Sequence, residues 1–189
     1  MATAGLTRAA HRWRLPVGLR SAWLWAYATI WTATLVDAVL VALLATTAKT
    51  PMRRLLGHCI CDPIRRPRAA MFLHLVAHNV PIASWPVLLG VLGVHRHRRG
   101  RKLADVVLLG CIFANTLPMG AALGAYGARL LPYIPQLPIE WAGLALGASA
   151  WLLQRRRALT VPEGLALLAL TVCVLLCAAV IETVAVPHR

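Results

Sequence analysis

Acidic residues are scarce in this chain, with 6 Asp and Glu against 20 Lys and Arg, and long stretches carry no charge of either sign. No Gly-x-Ser-x-Gly elbow, no His-Glu-x-x-His pair and no phosphate-cradling glycine loop occurs. A hydrolase or ATPase core therefore has no support, and the expectation is a protein that is not an enzyme. A small-x-small cleavage site leading into a soluble body is also missing, so the first apolar stretch is expected to remain as an anchor. The basic residues contain no base-reading motif with interleaved aromatics, and the formal net charge of +14 is assigned to membrane topology and lipid headgroups, with no nucleic acid as partner. Of five cysteines, Cys111, Cys173 and Cys177 lie inside apolar stretches, where the thiol behaves as a small hydrophobe. The odd total argues against a disulfide framework. His58-Cys59-Ile60-Cys61 lacks the second ligand pair of a closed tetrahedral site, so no metal and no cofactor are expected.

What the chain does have is apolar length. Trp23 to Ala48, Leu103 to Leu131, Ile139 to Leu153 and Gly164 to Val186 are almost free of charge, and Met71 to Val94 is a fifth such stretch interrupted by Pro81 and Pro86. About 20 apolar residues let a helix cross a hydrocarbon core of roughly 30 Å. The 59% hydrophobic composition and mean hydropathy of +0.68 exceed soluble usage throughout. The expected fold class is all-α, a polytopic membrane helix bundle of about five transmembrane helices with a proline-broken second span. A basic lead, 1–20, precedes one membrane-embedded domain, 21–187, with spans at about 22–47, 71–94, 104–130, 139–153 and 163–186.

Orientation follows from the arginines. Arg8, Arg12, Arg14 and Arg20 lead into Trp23, Trp25, Tyr27 and Trp31, an aromatic group of the headgroup-boundary kind. His95 to Lys102 is the densest basic loop, and Arg155 to Arg157 form another. Placing these on the cytoplasmic side puts the N-terminus inside and the charge-free Pro132 to Pro138 connection outside. The basic linker Lys49 to Arg68 fits this arrangement least well. Either it is held outside despite its charge, or span two is a re-entrant pair of half-helices bent at Pro81 and Pro86.

Polar residues within the spans are the candidates for function. Asp37 falls near the middle of span one, where a carboxylate costs about 2.5 to 3.5 kcal/mol on insertion scales, so it serves either an ion or proton relay or a hydrogen bond to Thr32, Thr34 or another span. Asp105 is expected to form a surface ion pair beside Arg101 and Lys102. Glu140, Glu182 and Arg129 are expected at one level near the outer interface, where forked arginine donors can bridge two acids. That trio is open to three readings: a structural staple, a binding site for an extracytoplasmic partner, or a catalytic pair. His78, Asn79 and Asn115, with His74 one turn earlier, suggest a polar seam between spans two and three. Gly120-x-x-x-Gly124 and Gly143-x-x-x-Gly147 have the spacing for close helix approach.

Several of these islands together resemble the stage II sporulation protein M family of small multispan bacterial membrane proteins. The matching residues are His78-Asn79 with Trp85 and Leu89-Gly90, Asn115 with Leu117-Pro118 and Gly120, Pro135-Gln136 with Glu140, and Ala178 to Glu182 with Pro187. They cover roughly Phe72 to Pro187. The resemblance implies a non-enzymatic component of the bacterial cytoplasmic membrane that docks a membrane or extracytoplasmic protein partner, as in cell-wall remodelling during sporulation; a homo-oligomer is a further candidate assembly that the residues leave open. In peptide-producing relatives it implies a part in export, maturation or immunity.

Overall fold

The computed structural model describes residues 16–44, 68–156 and 159–185. Among them every long element is helical: α1 (Leu19–Leu43), α2 (Arg68–Val91), α3 (Arg98–Tyr126), α4 (Leu137–Arg156) and α5 (Val161–Ala185), with 3-10 segments at Val94–Arg96 and Gly127–Tyr133. Four of them, α1, α2, α3 with its 3-10 extension, and α5, are long and apolar enough to cross a membrane, consistent with a multi-pass membrane protein. The basic lead as far as residue 15, the linker with Cys59 and Cys61, Arg157 and the tail from residue 186 lie outside the described residues.

Helix starts follow local chemistry. Before α5, the backbone N–H of Thr160 donates to Glu163 Oε2 at 2.9 Å while the Glu163 N–H donates back to Thr160 Oγ1 at 3.4 Å, a reciprocal cap three residues apart. At α3 the helix begins at Arg98, so Arg98, Arg99, Arg101 and Lys102 form its first turns, where the sequence suggested a loop. The Arg101 N–H donates to the His97 carbonyl at 2.8 Å, and continuing the helix lets the carbonyls of these residues accept from the following turn.

α2 is one continuous helix of 24 residues across both prolines. That overturns the re-entrant reading of span two and its description as broken. Each proline deletes one ladder hydrogen bond, yet Pro86 and Val87 are buried and held by neighbouring helices. The carbonyl of Ala83, one turn before Pro86, lies against the Cα of Gly147 in α4, where any side chain would collide with it. A glycine Cα–H is a weak donor to such a carbonyl.

α4 is the inner helix. It packs against α1, α2 and α5, while α3 lies mainly on α1. Its buried residues run almost all round, including Leu137, Trp141, Leu144, Gly147, Ala148, Trp151 and Gln154. Gly143 meets Leu175 of α5, and Gly120 and Gly124 of α3 meet the Thr34 and Ala38 carbonyls of α1, so each glycine pair sits at a helix–helix contact. The bundle turns large apolar side chains outward: Trp25 is 73% exposed and Leu73 64%, joined by Leu109, Phe113 and Val180. Such a surface suits lipid better than water.

Candidate functional site

Most buried hydroxyls bond within their own helix, although Ser84 Oγ and Thr116 Oγ1 are buried with no protein partner among the described residues. Thr34, Thr171 and Thr183 each donate to the carbonyl four residues back, at 2.9, 2.8 and 2.7 Å. Side chains that reach across helices are therefore the informative ones, and they gather in two places.

The first lies where α4 begins. Asn79 Nδ2 donates to Glu140 Oε1 at 2.8 Å, tying α2 to the first turn of α4. The Gln136 side chain donates to the Glu182 carboxylate near the end of α5, and Glu182 in turn feels the charge of Glu140. Beside them a half-open cleft of about 30 Å³ is lined by Asn79, Ile82, Ala83, Asn115, Glu140, Trp141, Leu144 and Leu175. That is room for a water molecule or two. Asn115 reaches the cleft from α3 while its amide donates to the Cys111 carbonyl at 2.7 Å. Five of the candidate residues, Asn79, Asn115, Gln136, Glu140 and Glu182, thus come from four helices and one connection into one neighbourhood.

Two buried polar atoms there have no protein partner: Gln136 Oε1, on a residue 5% exposed, and Trp141 Nε1, on a residue 4% exposed. Neither Glu140 nor Glu182 is ion-paired among the described residues. The arginine expected to bridge them is elsewhere: Arg129 is exposed on the 3-10 segment after α3. That segment turns its buried Leu130 inward and leaves the guanidinium outside, a cheaper arrangement than desolvating a third charge.

The depth also differs from expectation. Asn79 is the midpoint of α2, and Tyr27, in the first half of α1, donates its hydroxyl to the Pro138 carbonyl at 3.3 Å. α4 therefore starts inset from the Leu43 end of α1 and the Arg68 end of α2, and Glu140 is half-buried beside the midpoint of α2. Trp23 likewise donates to the Ala142 carbonyl at 3.1 Å and stacks on Tyr27. Trp23 and Tyr27 thus act as contacts between α1 and α4, beyond the boundary role suggested by composition; only Trp25 of the group points fully outward.

The second polar place is at the opposite end. Asp105 accepts from the Trp151 indole at 2.8 Å and pairs with Arg155 at 3.4 Å, both through Oδ1. Its partners come from α4, not from Arg101 or Lys102 on its own helix. Sequence spacing favoured the near neighbours, but the side chains of Trp151 and Arg155 reach Asp105 from α4. Gln154, 2% exposed, is the residue that sequence reading missed: it fills the space that Gly90 leaves open on α2. The Gly90 position was the only available signal.

Asp37 stands apart from both places. It is half-buried between α1 and α3 against Gly120, with Oδ2 buried and unpartnered and the Ala121 backbone as its hydrogen-bond partner. His78 joins neither place, since it is exposed on α2 and stacks with His74, ring centroids 6.5 Å apart. The expected polar seam between α2 and α3 is replaced by other partners: Asn79 donates to Glu140 of α4 and Asn115 to its own helix, and the two share only the lining of the cleft. Among the described residues, no three His, Cys, Asp or Glu side chains converge as a metal site.

The chain matches no family model, no curated protein and no solved structure.

Proposed function

We propose that this chain is a non-enzymatic multispan scaffold or accessory subunit of a membrane complex, of the stage II sporulation protein M kind, seated in the bacterial cytoplasmic membrane with its N-terminus inside. The observation that carries the proposal is the use made of the polar residues. Asn79 bonds Glu140 and Gln136 bonds Glu182 across helices, and Asn115 joins Asn79 and Glu140 in lining a cleft too small for a peptide or metabolite. A bundle that fixes its helices in this way presents constant surfaces at its ends. The arginine-rich turn at Arg98 to Lys102 and the Arg155-Arg156 pair on one side are available to a partner protein.

A second reading, a component of an export, maturation or immunity system, draws on one observation: the cleft is half-open and lies beside the midpoint of α2. The two readings part on water access. In a background with the 5 native cysteines replaced, single cysteines at Leu73, Ile82, Ala83 and Val87 are probed with a membrane-impermeant thiol reagent. The scaffold reading expects silence at Ile82, Ala83 and Val87. Labelling graded along α2 to that depth would replace it with a solvated path. The neighbouring genes supply a second test: wall hydrolases favour remodelling, and a precursor peptide with a transporter favours export.

A further inference from the structure

We propose that His74 and His78 hold one zinc ion on the outward face of α2. Four positions apart on one helix, they share a face, at the separation that helical histidine pairs use to bind zinc. Both are exposed, and their rings stack with centroids 6.5 Å apart and planes 18° from parallel. Two imidazoles on one tetrahedral zinc have centroids about 5 Å apart at an ordinary Zn–N distance, so a small rotation of two exposed side chains closes the pair on the ion. At about 1.5 Å per residue, His74 and His78 lie about 9 and 15 Å along α2 from Arg68, and the 24-residue helix is about 36 Å long against a hydrocarbon core of roughly 30 Å. The pair therefore stands at the edge of the core, within reach of ions from water. Imidazoles at that level on a face turned to lipid are costly without a partner, and among the described residues each has only the other as aromatic or hydrogen-bond partner.

Donor chemistry narrows the ion. Imidazole nitrogen suits zinc, copper and nickel, whereas calcium and magnesium take oxygen. The amino-acid sequence favours zinc among them. Cys59 and Cys61 precede His74 with 12 residues between, and 3 residues separate His74 from His78. That order approaches the two-cysteine, two-histidine spacing of zinc sites, with a single residue between the cysteines. The cysteines lie outside the described residues. Taken alone, the His58 to Cys61 run lacks a second ligand pair, and the stacked histidines of α2 are such a pair. Sequence reading passed over them because they were expected in a polar seam between helices, whereas α2 turns both outward.

The test uses the full chain without an affinity tag, in detergent micelles, stripped with EDTA and dialysed against micromolar ZnCl2. Atomic absorption is expected to find one zinc per chain, and competition with a chromogenic chelator gives its affinity. His74→Gln and His78→Gln are each expected to weaken binding by at least about tenfold, and the double variant to lose the ion. Both positions are exposed on the helix surface, so the variants should keep the unfolding midpoint of the wild-type chain in EDTA to within about 2 °C. His97→Gln, exposed at the opposite end of the bundle, should keep the ion. The proposal is overturned if the wild-type chain retains no zinc above a micelle blank. It is equally overturned if the double variant binds as tightly as the wild type, because thiols or other histidines would then hold the ion, or if His97→Gln loses it. None of these results bears on whether the bundle is a scaffold.

Discussion

The two polar regions of this bundle treat negative charge in opposite ways. At the Arg98 end, Asp105 has an arginine and an indole as partners and is partly open to solvent. At the other end, Glu140 and Glu182 have amides as their side-chain partners among the described residues, and both are half-buried. A carboxylate near a headgroup region is solvated and paired, whereas a pair of carboxylates deeper in the bundle needs a proton or an ion. Both regions fasten helices to one another, but one does so with a cation beside its acid and the other with amides.

The contrast depends on the frame that holds both regions in register, so the largest effect is expected from breaking that frame. Gly147→Val would drive a side chain into the Ala83 carbonyl of α2, and a loss of about 3 kcal/mol or more is expected, read as reduced accumulation and a lower unfolding midpoint in detergent. Next in size is the comparison itself. Glu182→Gln is expected to stabilise the chain by about 1 kcal/mol, because it removes one of two half-buried carboxylates with no cation beside them among the described residues while keeping an acceptor for Gln136. The chemically equivalent Asp105→Asn is expected to have the opposite sign, a loss of up to about 1 kcal/mol, since the pair it weakens is partly exposed. Denaturant titration of both variants side by side checks the signs, and equal signs would erase the distinction between the two regions. Smallest of all is Arg129→Ala, expected to change stability by less than about 0.5 kcal/mol because the guanidinium is exposed and bridges neither glutamate.

Much of the cluster was legible before the fold. The spacing of apolar runs located all five helices, although α1, α2 and α3 begin about three to six residues before the expected span starts. Periodicity marks the apolar core of a helix, whereas arginine-rich turns such as Arg98 to Lys102 extend it without any apolar signal. Asn79, Asn115, Glu140 and Glu182 stood out because each is a polar residue in an apolar span, whereas Gln136, in the connection before α4, stood out only through the family resemblance. Their partners did not, since a partner 61 positions away, as Asn79 is from Glu140, leaves no local trace. Arg129 shows the reverse failure: charge and approximate depth suggested a bridge, but the rotation of a 3-10 turn decides which way one side chain points.

What the sequence determined alone is the medium and the material: helices long and apolar enough to cross a membrane, glycines where backbones can touch, and a few polar residues too expensive to be idle. Tertiary structure decided that α4 would be the enclosed helix, that α2 would run unbroken past two prolines, and that Asp105 would find its cation while Glu140 and Glu182 would not. The physical reason is that hydropathy is summed along a chain, whereas charge compensation and backbone contact depend on which faces of separate helices meet.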